Sequence, residues 1–269
     1  MIRLVATDID GTFLDDQHQF NQVRFQNQLK AMQAQKTEFV VASGNQLAHC
    51  LEVFENIQGP ISYVVEDGAL VIYRNQVVDE HPIKANLLPD LLDYLLNTPA
   101  LAGVKVILSS TNQAFTNMMP KTTEFNDSTY FYQHLTHFDK LSDVKDSIYK
   151  LDIHWVDTDD ITLQANQVKQ DLSSDFDSVL SGFNGIDITM PHISKAYGLQ
   201  RLVDDLKINP AEALAFGDTQ NDAAMLKWAN YGYAMQNATK EAKAATKLVT
   251  ADDNNHEGVL NTIDQLVLN

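Results

Sequence analysis

Short apolar runs without polar alternation, each giving way to a stretch of helical spacing, set the strongest limit on how this chain can fold. Residues 2–7 (IRLVAT) are the first such run, and a helical pattern follows at about 21–35. Then come the apolar EFVVA, the helical QLAHCLEVFENIQ, and SYVVEDGALVIYRNQVVDEH, which runs through a glycine turn into a hairpin-like pair. A strand covered on both faces has no need of a polar residue at every second position, and parallel strands joined by helices are covered in this way. The alternation predicts an α/β fold with a doubly wound, mostly parallel sheet.

The texture changes near residue 84. A Leu-rich helix at 87–97 precedes strand candidates at 103–109 and 113–118, whose short connection demands antiparallel pairing. A polar stretch with helical potential at 120–146, a strand at 148–156, a helix at about 159–173, and strands at 176–181 and 186–190, split by Gly182 and Gly185, complete an α+β block. After Pro191 the first texture returns: a helix at 195–206, the strand EALAFGD, a helix from about 221, the strand YGYAM, a helix at 238–245, the strand KLVTA and an amphipathic helix at 256–267. The expected organisation is one α/β domain formed by residues 1–83 and 191–269, interrupted by an α+β domain at 84–190. Connections near 81–86 and 184–191 would act as hinges for the insert.

Charge narrows the function. A net charge of −17 repels nucleic-acid backbones and anionic membranes, which leaves small molecules as the expected ligands; nothing in the chain calls for an obligate protein partner. Cys50 is the single cysteine, so no internal disulfide can form, and its expected role is buried packing. No apolar segment approaches the ~18 residues of a membrane helix, and Asp8 cuts the first apolar run too early for a signal peptide; a soluble, cytoplasmic protein is expected.

The chemistry is expected where strands end. In extended backbone, residues i and i+2 point the same way, so Asp8 and Asp10 share a small volume beyond the first strand, and two anions there call for a cation. Gly11 permits a tight turn and Thr12 can hydrogen-bond it. Ser43-Gly44-Asn45, ending EFVVA, combines a hydroxyl with unhindered N–H groups at a helix start, a seat for phosphate oxygens, although the same residues make an ordinary N-cap. Lys195 falls in the first turn of a helix if Ser194 caps it, where a cation opposes the helix dipole unless an anion offsets it; a solvated surface lysine is the competing reading. In LAFGDTQNDAAML, Asp218 follows a strand, while Asn221 and Asp222 open the next helix, where both also serve as caps. Oxygen ligands without Cys or His suit Mg²⁺. His134 and His137 lack further ligands and are read as surface or packing residues.

DIDGT, Ser43 with Gly44, Lys195 and GDTQNDAAML resemble, in this order, four motifs of the haloacid dehalogenase-like phosphatase superfamily. The long insert between the second and third resembles its Cof-type, sugar-phosphatase-like branch, as does DNNHEGVL near the C-terminus. The resemblance spans nearly the whole chain. It implies a Rossmann-like core with an inserted cap that carries substrate choice, and an Mg²⁺-dependent hydrolysis of small phosphorylated metabolites, sugar phosphates first. Asp8 would be the nucleophile and Asp10 the general acid and base. Mg²⁺ would be held by Asp8, the Asp10 backbone carbonyl and Asp218. Ser43, Gly44, Lys195 and Asn221 would hold the transferring oxygens, and Asp222 would orient Lys195 or the metal shell. Asn45 stands where many relatives carry arginine, and Asp67 where asparagine is common. A mutase or phosphotransferase could use the same aspartyl-phosphate. A phospho-accepting regulatory module is a further alternative, disfavoured by Asp10, which would hasten loss of the phosphate. Tyr130, Phe131 and Tyr132 fit the insert's core better than a binding surface.

Overall fold

The computed structural model describes all residues except 159, 173 and 182–184. Gly182, the ends of the helix expected at about 159–173, and residue 184 in one expected connection therefore lie outside the described residues. The chain forms two compact units: Met1–Ser43, Phe54–Asp79 and Ser194–Asn269 make the first, and Gly44–Val53 with Glu80–Ile193 the second. Among the described residues no helix is long and apolar enough to cross a membrane.

The first unit is built on an eight-stranded sheet in the order Leu248–Val249, Tyr231–Ala234, Ala213–Gly217, Leu4–Thr7, Glu38–Ala42, Ser62–Val65, Leu70–Tyr73 and Gln76–Glu80. Pairing is parallel from the first of these to Ser62–Val65, which meets Leu70–Tyr73 antiparallel. The central strands lack alternation because both faces are covered. On one face Leu4, Ala6, Val40, Ala42 and Val64 pack with Leu199, Leu202 and Val203 of the helix Lys195–Leu206. Toward the other, Phe39 joins Phe13, Phe25 and Phe54 in a cluster with ring centroids 4.8–6.4 Å apart. Each fully buried phenylalanine contributes about 1.5–3 kcal/mol. The doubly wound α/β reading holds. At the C-terminus the expected helix is a 3₁₀ turn at Asn254–His256, an α-helix at Gly258–Ile263 and a π-helix at Asp264–Leu268.

The second unit has a six-stranded sheet ordered Asp177–Leu180, Gly185–Thr189, Lys150–His154, Lys105–Ser109, Ala114–Thr116 and Leu135–His137. The expected hairpin is present, with Leu108 opposite Phe115. The stretch 120–146 is not the helix its polarity suggests. α-Helix is confined to Thr123–Ser128, a 3₁₀ turn follows at Leu141–Asp143, and Leu135–His137 adds to the sheet as a parallel edge strand. A three-residue edge strand carries too little apolar pattern to announce itself. Tyr132 is buried in the small core with Ile107, Ala114 and Met118, and Phe131 packs against it. Cys50 is fully buried. The helix Leu47–Val53, which follows the α/β alternation in sequence, groups with this second unit: Gln46 Nε2 donates to the carbonyls of Ser110 (2.8 Å) and Gln113 (2.7 Å), and its Oε1 accepts from the Gln133 N–H at 2.9 Å.

Candidate active site

Three parallel strands of the first unit end level with one another, with Thr7 opposite both Val41 and Phe216. The residues that leave them, Asp8, Ser43 and Asp218, emerge at the same edge of the sheet. Asp8 is pinned by its N–H to the Phe216 carbonyl (3.0 Å), and the chain then wraps tightly, the Ile9 carbonyl accepting from Thr12, Phe13 and Leu14. Gly11 takes φ +68°, and its missing Cβ is required: one placed there would lie 2.5 Å from Asp218 Oδ2. Thr12 Oγ1 donates to Asp218 Oδ1 at 2.9 Å.

Ser194 caps the helix Lys195–Leu206, its Oγ accepting from the Tyr197 N–H at 3.2 Å. Lys195 is only 1% exposed, which ends the surface-lysine reading. Its ammonium donates to Asp8 Oδ1 at 2.9 Å and to Asp222 Oδ1 at 2.6 Å. These carboxylates offset both the unfavourable helix dipole and the desolvation of a buried cation. Asp222 is fully buried and also serves the backbone, Oδ2 accepting from the N–H groups of Asp218 (2.8 Å) and Thr219 (3.0 Å). One carboxylate thus acts at once as a cap and as a charge partner. Asn221 Nδ2 donates to Asp67 Oδ1 at 3.1 Å. Ser43 is buried, its N–H on the Val64 carbonyl and its own carbonyl accepting from the Asp67 N–H at 3.2 Å.

Asp10 sits in the turn, half-buried, with Oδ1 3.7 Å from His18 Nδ1. Its carboxylate is not among the three, Asp8, Asp218 and Asp222, whose oxygens lie within 4.8 Å of one another. Gly44 and Asn45 belong to the second unit, where the Gly44 carbonyl accepts from Lys150 Nζ.

Burial lifts the Asp8 carboxyl well above the usual range; Lys195 opposes the shift, while Asp222 and Asp218 add to it. Burial, with Asp222 adding, raises Asp218 to about 7. Lys195 is stripped of water, yet Asp222, Asp8 and Asp67 hold it firmly protonated, above the usual lysine value. A carboxyl whose folded pKa is raised holds a proton that the unfolded chain releases, so its stabilisation is full below about pH 4. It is lost as pH rises through about 7. In chelator the melting temperature is therefore expected to fall between about pH 4 and 7, and to fall less in Asp218→Asn. Equal slopes for the two proteins would remove Asp218 as the titrating group.

Anions crowded until they resist ionisation are relieved by a cation, and the oxygen-only donor set fits a hard divalent ion. Gly11→Ala, which drives a methyl into the Asp218 carboxylate, is expected to weaken the binding of a divalent cation by about tenfold or more, read by calorimetry.

Sequence reasoning undervalues two features. Asp67 figures there only as a departure, yet it is buried and joins Asn221 to Ser43 through a turn in which Glu66, Asp67 and Gly68 take φ of +53°, +54° and +100°. The clue is present in EDG, a second strand end with carboxylates and a glycine, like DIDG. The other is DNNHEGVL, which braces the loop beyond Asp10. Asn254 Nδ2 donates to the Leu14 carbonyl and to Asp16, Asn255 pairs with Asp16, and Glu257 binds Arg24.

A two-unit fold with convergent carboxylates and a buried lysine at the carboxyl edge of a parallel sheet defines a class that comparison with known proteins identifies. The family profile of haloacid dehalogenase-like hydrolases matches residues 5–263, and the chain belongs to that family. It is 33% identical to the 5-amino-6-(5-phospho-D-ribitylamino)uracil phosphatase YbjI of Escherichia coli strain K12, over 99% of this chain and 96% of that protein. It is 25% identical to the phosphatase YwpJ of Bacillus subtilis strain 168, over 99% of this chain and 100% of that one. Among solved structures, SMU.1108c from Streptococcus mutans UA159 matches with a TM-score of 0.93 at 28% identity, covering 100% of both chains. The chain is an enzyme of the phosphatase class.

Proposed function

We propose that the protein hydrolyses phosphomonoesters of small metabolites, with phosphorylated sugars or sugar-alcohol chains as substrates, through an aspartyl-phosphate on Asp8 and with Mg²⁺ as cofactor. The observation that carries this reading is the buried Lys195 ammonium, which ties Asp8 to Asp222 beside Asp218. The E. coli relative is named for a phosphate on a ribityl chain, which supports the substrate class.

Asp8 attacks phosphorus and carries the phosphoryl group, dividing one displacement into two. Asp10 protonates the leaving alcohol, then takes the proton of the attacking water. Lys195 holds the Asp8 carboxylate in place and meets negative charge developing on the transferring oxygens, with Ser43, Gly44 and Asn221 as further donors. Both Asp222 oxygens are engaged, one by Lys195 and one by two N–H groups, so Asp222 orients the lysine. Asp8, Asp218 and the Asp10 carbonyl would hold Mg²⁺, which supplies charge neutralisation between a carboxylate nucleophile and a phosphate dianion. The second unit serves as the cap that selects the substrate.

The test is a screen of phosphorylated sugars, sugar alcohols and 5-amino-6-(5-phospho-D-ribitylamino)uracil in Mg²⁺, measuring inorganic phosphate against isomerised product. Phosphate release from one group of esters is expected; isomerisation without release would favour a mutase, and inertness toward all a regulatory module. Asp10→Asn sharpens the roles. With p-nitrophenyl phosphate it is expected to give a burst of one nitrophenolate per enzyme and then turnover slowed about 10²–10⁴-fold, because the good leaving group spares the acid step alone. Full steady-state turnover would remove Asp10 from the proton transfers.

A further inference from the structure

At the amino edge of the eight-stranded sheet, where its parallel strands begin, the first unit holds a cleft of about 470 Å³, the size of a small-molecule site. Arg3 lines it and precedes the strand Leu4–Thr7, while Asp8 follows that strand, so roughly 16 Å of extended backbone separates the cleft from the catalytic carboxylates. Its walls stand on regular structure. The Arg3 N–H donates to the Glu212 carbonyl and the Glu38 N–H to the Arg3 carbonyl, both at 2.9 Å, and Leu206 ends the helix Lys195–Leu206.

In a chain of net charge −17 this lining is cationic: Arg3, Lys36 and Arg74 share it with a single carboxylate, Glu38. Neither arginine is matched closely by an acid. Arg3 Nη1 lies 3.6 Å from Glu212 Oε2 and Arg74 Nη2 3.8 Å from Glu38 Oε1, against about 2.7–2.9 Å for a charge-assisted hydrogen bond. Among the described residues Lys36 forms no ion pair. The Arg74 guanidinium is steadied by the Tyr73 ring, 4.9 Å from its centroid. Gln33, in the same lining, has a buried Nε2 without a hydrogen-bond partner, and a turn of that amide toward an acceptor would relieve it. Cations gathered with so little opposing charge favour an anion. Phe39, Leu206 and Ile208 add apolar surface that an inorganic ion would leave uncovered.

We propose that this cleft is a second ligand site, for a small organic anion: Arg3 and Arg74, with Lys36 beside them, bind its phosphate or carboxylate group, and Phe39, Leu206 and Ile208 receive its apolar body. Glu38 restrains the affinity, because it competes for Arg74 and repels the ligand. The site shares no residue with the catalytic cluster and stands independently of the phosphatase reading.

The test is calorimetry in chelator at low salt with two probes, phenylphosphonate, which has no ester bond to hydrolyse, and phenylacetate. They are titrated into wild type, Arg3→Gln/Arg74→Gln, Glu38→Gln and Asp8→Asn. At least one probe is expected to bind wild type with a Kd of about 1 mM or tighter, and the tighter of the two tells whether the site prefers phosphate or carboxylate. Inorganic phosphate is expected to bind more weakly than phenylphosphonate, since it leaves the apolar wall bare. Losing both guanidinium groups is expected to weaken the better probe by about 10–100-fold. Glu38→Gln, which keeps the shape and removes the opposing charge, is expected to tighten it by about fivefold, and Asp8→Asn to leave it within about twofold. Should the double arginine variant fail to fold, the gain in Glu38→Gln still decides, because a general loss of structure does not improve binding. The proposal is overturned if folded wild type binds neither probe, if Glu38→Gln binds no better than wild type, or if Asp8→Asn rather than the arginine variant changes the affinity.

Discussion

Asp8→Asn is expected to reduce phosphate release by at least about 10⁴-fold in Mg²⁺, the scale on which losing a nucleophile is felt when the rest of a site survives. The amide has nearly the shape of the carboxylate but none of its nucleophilicity. The fold should not suffer, for a reason specific to this site. Asp8 is buried beside Asp218 and Asp222, and burial with these two neighbours already pushes its carboxyl toward the neutral form. Removing its charge relieves repulsion, and the oxygen of the substituted amide can still accept from Lys195 Nζ. The melting temperature in chelator is therefore expected to equal or exceed that of wild type. Activity lost together with several degrees of melting temperature would identify Asp8 as a structural residue. Activity retained would end the aspartyl-phosphate mechanism.

Lys195→Met is expected to be costly in both respects. The ammonium is the cation shared by Asp8 and Asp222, and Asp222 is fully buried. Deleting one member of a buried ion group strands the others, at about 3–5 kcal/mol, which in a chain of this size lowers the melting temperature by roughly 6–15 °C. Turnover is expected to drop by about 10²–10³-fold, as for loss of one preorganised donor to the transition state. Lys195→Arg should rescue little, because a planar guanidinium does not fit a pocket shaped for a point charge. Adding Asp222→Asn to Lys195→Met separates the two effects: an amide oxygen still accepts from the Asp218 and Thr219 N–H groups, so stability should partly return while activity does not. Urea melts and p-nitrophenyl phosphate kinetics on the same preparations read both. A single Lys195→Met variant with wild-type stability would mean that the ammonium does not hold this cluster together.

Much of this is legible in the chain because it is written in short-range patterns. Unalternating apolar runs followed by helical spacing name the parallel sheet. The residues just past those runs, Asp8, Ser43 and Asp218, are legible as a group because parallel strands in register release their carboxyl ends at one edge. Gly11 is legible as a turn former but not as the gap that admits Asp218. Lys195 is undecided in the sequence, since a lysine at a helix start has the same local signature whether water or carboxylate surrounds it. The strand Leu135–His137 escapes a reading of the chain because three residues at a sheet edge carry almost no period.

The sequence by itself determined the order of the elements, the positions at which acidic and hydroxyl groups leave the strands, and the family, since each depends on residues that are neighbours along the chain. Only the tertiary structure decided that Lys195 is buried between Asp8 and Asp222, that Asp67 turns back to Asn221, and that Lys150 reaches the Gly44 carbonyl. Those pairings span up to 187 positions, and whether a charged side chain meets water or another charge is settled only when the sheet and its helices have closed around it.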